Sequence, residues 1–549
     1  MKKMIKKFAA LLLAGAMTLS MAACGNGSGS TGTSDSSAAN RAQSATGEKS
    51  VNIAVTDTIG SLNPLLMDST EVVKYAQSLT FLPLVELDEN MEFVGQIAKD
   101  ITTEDNIHFN IHIDENARWS DGEPVTADDV LFSFQCWVSP EVGNTGNNVY
   151  AIEGVGDDGY VEAGATQISG VKKVSDTEVE VTLKWETALY TFENVYGRYI
   201  LILPYHVLKD VPKENLLTYE WFNAPDVISG PYFIKDFDLN HYVHYEANEN
   251  YWMGAPKIKY LNINVVQSSQ LLAGLQSGEI DVIQQTMGSI LLEDYEGVRA
   301  LDNITVVEGT AITNQSIFFN VENVPDVRIR QAFLYAMDRQ TLVNEFLKGT
   351  GEVVDGFLAS AGPFYDSALG VTEYNPDKAR ALVEEAVADG ASNRLTFHVN
   401  SGDTTFVQAA SYLAAQFAEI GLTLDIKTVD LATLMSLAND HNFDVMAVQY
   451  TYAPVDPYTD VVWLLSDEGW TKYVNDDVNN ALALTQSLAD PEQITAQYLI
   501  VDEHMQSDVP MISAYVISPL GAVSNRMENV KPNIFGTFVN VHQWDVKAE

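Results

Sequence analysis

The chain has 549 residues, is 46% hydrophobic and carries a formal net charge of -44. At about 150 residues per domain, that length holds several domain-sized units with large cores. So acidic a surface repels phosphate backbones and anionic headgroups, which argues against nucleic-acid binding; a broad acidic excess is ordinarily a solvated coat.

Lys2, Lys3, Lys6 and Lys7 form a basic start, followed by an apolar run, Phe8 to Leu19, too short to span a bilayer. Met21-Ala22-Ala23-Cys24, followed by Gly25-Asn26-Gly27-Ser28, resembles a bacterial lipobox. The resemblance implies cleavage after residue 23 and lipid attachment at Cys24, and two acyl chains on one residue suffice for stable anchoring. Residues 24–49 are rich in Gly, Ser, Thr, Ala and Asn, a tether with nothing to build a core. Only one other cysteine exists, Cys136, within the apolar run LFSFQCWV, so a buried thiol and no structural disulfide are expected.

In the body, Val51 to Val55 reads as a strand, and Ser61-Leu62-Asn63-Pro64 as a turn. Ile107, Phe109, Ile111 and Ile113 alternate with His108, Asn110 and His112, a strand with one wet face. The two histidines share that face without a third ligand nearby, so no metal site is expected. In Arg118-Trp119-Ser120-Asp121-Gly122-Glu123-Pro124-Val125-Thr126, an Asp-Gly turn leads to Thr126 as N-cap, with Asp129 completing a capping box before an apolar helix. Gly154-Val155-Gly156-Asp157-Asp158-Gly159 has GxGxxG spacing. Its two aspartates would repel a pyrophosphate, and it reads as a loop. No other nucleotide, zinc-protease, nucleophile-elbow or CxxC motif is present, and no cofactor is expected.

Further on, strands are expected from Gly230-Pro231-Tyr232 to Tyr245 and from Ile258 to Val266, with a helix over Leu271 to Gly278. Ile329, Phe333, Ala336 and Met337 keep helical spacing. A second helix is punctuated by Asn375 as N-cap, Pro376 at its first position and Gly390 past its end. Strands over Leu395 to Val399 and Leu422 to Thr428 alternate with helices, an α/β pattern. Phe443 to Pro457 (FDVMAVQYTYAPVDP) begins as a strand and ends in a turn at Pro454 and Asp456-Pro457. The about 39 residues after Pro510 are too few for a domain and are expected to return to the first lobe.

RWSDGEPVTADDV (118–130), GPYFI (230–234), NENYW (248–252), LQSGEIDVI (275–283), PDVRIRQAFLYAMDR (325–339, after FFN) and YNPDKARALVEEA (374–386), in this order, resemble the extracellular solute-binding lipoproteins of the peptide/nickel class. These are the binding subunits of ABC importers, and the resemblance runs over nearly all of Val51 to Trp544. It implies an α/β, two-lobed fold of the periplasmic-binding-protein type, closing on ligand around a hinge crossed twice. The first lobe would be 51–311 plus 513–549, with a peripheral subdomain at about 89–205 that holds RWSDG. The second would be 312–512. Phe443 to Pro457 would be the ligand strand, whose backbone pairs with a bound peptide. In peptide-binding relatives an aspartate four positions before the final proline anchors the ligand ammonium. Here that position is Ala453, and Asp456 is not expected to replace it.

The candidate ligand residues are Thr58, Tyr450, Thr451, Tyr452, Ala453, Asp456, Trp463 and Trp470, the aromatic ones as stacking platforms. With Tyr473 among them, each aromatic has core packing as its commoner alternative. The expected protein is a monomeric, lipid-anchored, non-enzymatic receptor on the extracytoplasmic face of a bacterial membrane. It would deliver oligopeptides, or a similar small solute, to a permease and its ATPases. Alternatives are an oligosaccharide or metal-chelate receptor, a sensor of the same fold and, more remotely, a surface hydrolase, for which no catalytic constellation is present.

Overall fold

The computed structural model describes residues 48–66, 71–143, 149–531, 534–535 and 538–547. The basic start, the apolar run, Cys24 and the tether up to residue 47 lie outside them. The described residues form two compact units, one of residues 48–309 with 519–547, the other of residues 310–518.

In the first unit, Ser50–Val55 lies inside a seven-stranded sheet, parallel to Tyr260–Val265 and to Val282–Ile283. Its alternation is read out directly. Val51, Ile53 and Val55 join one apolar core with Tyr245 and Trp544, and Ala54 joins another with Leu271 and Ile283. The hairpin Tyr232–Asp238 with Tyr242–Ala247 extends one side of the sheet. Leu520–Ser524 pairs antiparallel with both Val282–Ile283 and Ile304–Glu308 on the other. A separate four-stranded sheet contains Ala98–Thr103 and His108–Ile113, with Phe109, Ile111 and Ile113 buried. His108 and His112 pair with Asp105 and Asp100, and no group of side chains able to hold a metal occurs among the described residues.

Local punctuation behaves as its chemistry dictates. The helix Ala127–Val138 has its capping box, Asp129 Oδ2 accepting from Thr126 N–H at 2.7 Å. Cys136 is buried in that helix, and desolvation pushes its thiol up to about 12. The helix Pro376–Ala388 starts after Asn375, whose side chain accepts from Lys378 N–H. Residues 154–159 are turn and loop. Gly230, in the GPYFI segment, is held by steric necessity, since a Cβ there would stand 2.4 Å from the Leu79 carbonyl oxygen.

In the second unit a six-stranded sheet runs in the order Gly351–Glu352, Met511–Ile517, Thr313–Phe319, Val445–Thr451, Arg394–Asn400, Thr423–Val429. Residues 513–518, assigned above to the first lobe, therefore belong to the second. The strand Met511–Ile517 pairs antiparallel with Thr313–Phe319, and only from Pro519 does the chain rejoin the other unit. Likewise the first passage falls between Gly309 and Thr310, two residues before the lobe boundary expected at 311/312. In both places long-range strand pairing set the limit. Gly230→Ala is expected to destabilise the fold by about 1–3 kcal/mol through overpacking against Leu79, measured by denaturant unfolding.

Candidate functional site

The strand Val445–Thr451 is central in the second unit's sheet, and its two edges differ. Along one it pairs antiparallel over its whole length, from Thr313↔Thr451 to Phe319↔Val445. Along the other it pairs parallel with Phe397, His398 and Val399 at Val445, Met446 and Ala447 only. Beyond them the neighbouring strand ends at Asn400, and Asp403, which caps the helix Thr404–Glu419, accepts from Gln449 Nε2 at 3.2 Å. Val448 to Thr451 thus have no partner strand on that edge among the described residues. Such an edge is a template for an added strand.

At the strand's end the side chains of the following helix, Pro457–Leu464, take over. Asp460, on that helix, accepts from Tyr450 O–H at 3.2 Å and from Ala453 N–H at 2.9 Å. Burial, then the nearby Asp456 charge, pushes its carboxyl up to about 7. Asp456 is fully buried and accepts from Thr459 Oγ1 at 2.7 Å. Desolvation and the Asp460 charge hold the Tyr450 phenol far above its ordinary range, so it is a neutral donor.

The candidate aromatics form one packed group. Tyr450 lies against Tyr452 with centroids 4.9 Å apart, and Trp463 meets Trp470 edge to face at 4.9 Å. Trp470 also meets Phe318 and Tyr450, and Tyr452 meets Phe357. All four candidates are buried, with Tyr452 O–H directed at Met511 Sδ, so in this structure they support the strand from beneath. Tyr473 is buried too and donates to Asp508 Oδ2. Thr451 is exposed, its hydroxyl 3.0 Å from that of Thr313, and Ala453 is half-buried. Thr58 is exposed and belongs to the other unit. Asp460 escaped the sequence reading. Its signal was a lone carboxylate in the otherwise apolar helix PYTDVVWL.

The family model of the bacterial extracellular solute-binding proteins, family 5 Middle, matches residues 92–472. The chain belongs to this family of bacterial extracellular solute-binding proteins, and it has the two-lobed α/β fold of the periplasmic binding proteins. It is 23% identical over 490 residues to the oligopeptide-binding protein AppA of Bacillus subtilis, covering 85% of this chain and 86% of that one. It is 24% identical over 415 residues to the nickel-binding periplasmic protein of Escherichia coli, covering 73% and 75%. The solved structure of Bacillus subtilis AppA with a nonapeptide superimposes with a TM-score of 0.68 at 22% identity, over 91% of this chain and all of that one. By name these relatives are binding proteins, one for oligopeptides and one for nickel.

Removing a ring from the packed group leaves a cavity. Trp470→Ala is expected to lower stability by roughly 3–5 kcal/mol in denaturant unfolding, as for a core tryptophan.

Proposed function

We propose that the protein is a lipid-anchored receptor on the extracytoplasmic face of a bacterial cell membrane. It captures oligopeptides by lobe closure and delivers them to the permease and ATPase subunits of an ABC importer. The observation that carries the oligopeptide reading is the half-open strand Val445–Thr451, rigidly paired on one edge and without a strand at Val448 to Thr451 on the other. A peptide main chain satisfies such an edge with backbone hydrogen bonds, and side-chain pockets then set preference. The AppA relative, by its name an oligopeptide-binding protein, supports the assignment. Thr451 offers an exposed hydroxyl beside the open edge, and Thr58 offers one in the other lobe. The basic start, the short apolar run, Cys24 and the tether of small residues support the anchor. The receptor acts as a monomer and performs no chemistry on its ligand.

Ala453 favours a second reading, a receptor for a metal chelate or an oligosaccharide, because residue 453 itself supplies no carboxylate to meet an ammonium. The nickel-binding relative points the same way. Mass spectrometry of ligand retained through purification decides between them: a peptide is expected, and a glycan or chelate would replace the first reading.

Without a carboxylate at residue 453, a free α-amine gains little. Free and N-acetylated forms of one peptide are expected to bind within about tenfold of each other in calorimetry, a difference of roughly 1.4 kcal/mol. A loss of about a hundredfold on acetylation would restore an ammonium anchor. Cys24→Ala is expected to shift the protein from the membrane fraction into the medium, followed by immunoblotting of both; full membrane retention would refute the lipid attachment.

A further inference from the structure

Asp460 is a carboxylate inside the unit of residues 310–518 without a counter-charge. It is 6% exposed, and its hydrogen bonds come from a phenol and a backbone amide, Tyr450 O–H and Ala453 N–H. Among the described residues no lysine, arginine or histidine pairs with it. The groups that face it are acids and phenols: Asp456 one turn earlier, and Tyr450 and Tyr452 of the strand. Asp502, on the helix Pro491–Asp508, acts on Tyr452, and the helix Asp476–Thr485, packed against Pro457–Leu464, contributes no charge to Asp460. This environment differs from those of the buried Arg339–Asp355 and Lys74–Glu86 pairs, where a cation accompanies the acid.

Resting on the assignment of Val445–Thr451 as the ligand strand, we propose that Asp460 couples capture of a neutral, hydrogen-bonding main chain at the strand's end to the uptake of a proton from solvent. A main chain laid along Val448 to Thr451 excludes water beside Ala453 and brings no cation. The ionised acid then loses what hydration it has, and its neutral form gains. The neutral acid still accepts the Ala453 N–H on one oxygen, and its other oxygen becomes a donor to the Tyr450 oxygen. The phenol keeps its own proton, which is thereby freed for a further acceptor. A cationic group at the same place would act in the opposite sense, holding Asp460 ionised and releasing protons.

The pH dependence has a fixed sign. The free protein's acid titrates at about 7, and the complex holds the proton more tightly. Affinity therefore rises as pH falls through that region and declines as pH rises above it. An upward shift of about one unit on binding gives roughly fivefold tighter binding at pH about 6 than at pH about 8.

Calorimetry tests this with N-acetylated, C-amidated peptides of about two to nine residues, at pH about 6, 7 and 8, in phosphate and in Tris. The two buffers differ in ionisation enthalpy, so the heat difference at neutral pH counts protons. Wild type is expected to take up a fraction of a proton. Asp460→Asn is expected to bind with no uptake and no pH slope, and Asp456→Asn, which removes one of the charges that raise the Asp460 carboxyl, to keep an uptake displaced to lower pH. Proton release, absence of uptake, or uptake that survives in Asp460→Asn would overturn the proposal while leaving peptide binding intact. Failure of every peptide to bind at every pH would instead overturn the oligopeptide reading, and this inference with it. Should Asp460→Asn not fold, carbon NMR of aspartate-labelled wild type gives the same answer. The Asp460 carboxyl, told apart from the other strongly raised buried aspartate by its persistence in Asp502→Asn, should titrate at about 7 and move upward with peptide; a downward shift, or none, rejects the proposal.

Discussion

The second unit depends on the antiparallel pairing of Thr313–Phe319 with two strands at once, Val445–Thr451 and Met511–Ile517. Residues about 200 positions apart in the chain meet there, so the loop-closure entropy is recovered only when all three strands are in place. Thr313–Phe319 follows the first passage between the units, and Met511–Ile517 precedes the second. The same pairing that defines the unit holds the candidate ligand strand in fixed register, with one edge fully paired and Val448 to Thr451 on the other without a strand among the described residues.

Several buried acids in the interior are paired with cations. Asp281, fully buried, accepts from Arg526 Nε at 2.6 Å and from Asn52 N–H at 2.9 Å, which ties the returning C-terminal segment to the first strand. Glu86 is shared between Lys74 and Arg198, and Arg339 joins Asp355 while donating to the Val354 and Ser513 carbonyls. Removing one partner of such a pair strands a buried charge, at a cost of about 3–5 kcal/mol. Asp460, like Asp502, has no cation beside it among the described residues, and it lies at the end of the candidate ligand strand. A buried acid perturbed in this way is more common at functional sites than in plain scaffold.

The aromatic group beneath the strand connects stability to function. Tyr450, Tyr452, Trp463 and Trp470 sit on one face as a close-packed layer, so the strand is supported by dispersion and hydrophobic burial. The open edge is backbone, and its geometry is only as good as that support. The aromatic side chains expected to stack on ligand are buried in this structure, whereas the candidates Thr451 and Thr58 are exposed.

Much of the architecture was legible in the chain itself because its causes are local. The capping box at Thr126 and Asp129, the Asn375-Pro376 helix start, the alternation of Phe109, Ile111 and Ile113, and the strand that ends before Asp456-Pro457 need only neighbouring residues to act. So did the family, through short motifs in fixed order. What required the folded molecule depends on partners far away in sequence. Whether residues 513–518 join one sheet or the other is decided by the pairing that Met511–Ile517 finds with Thr313–Phe319. Whether an aromatic faces solvent or core is decided by which face of the sheet the next helix covers. And Asp460, in sequence merely one of 75 acids, becomes distinct only where the helix fold-back brings it to Tyr450 and Ala453 and burial leaves it with no cation. Periodicity and capping act over a few residues, but electrostatic environment is a property of everything packed around a group.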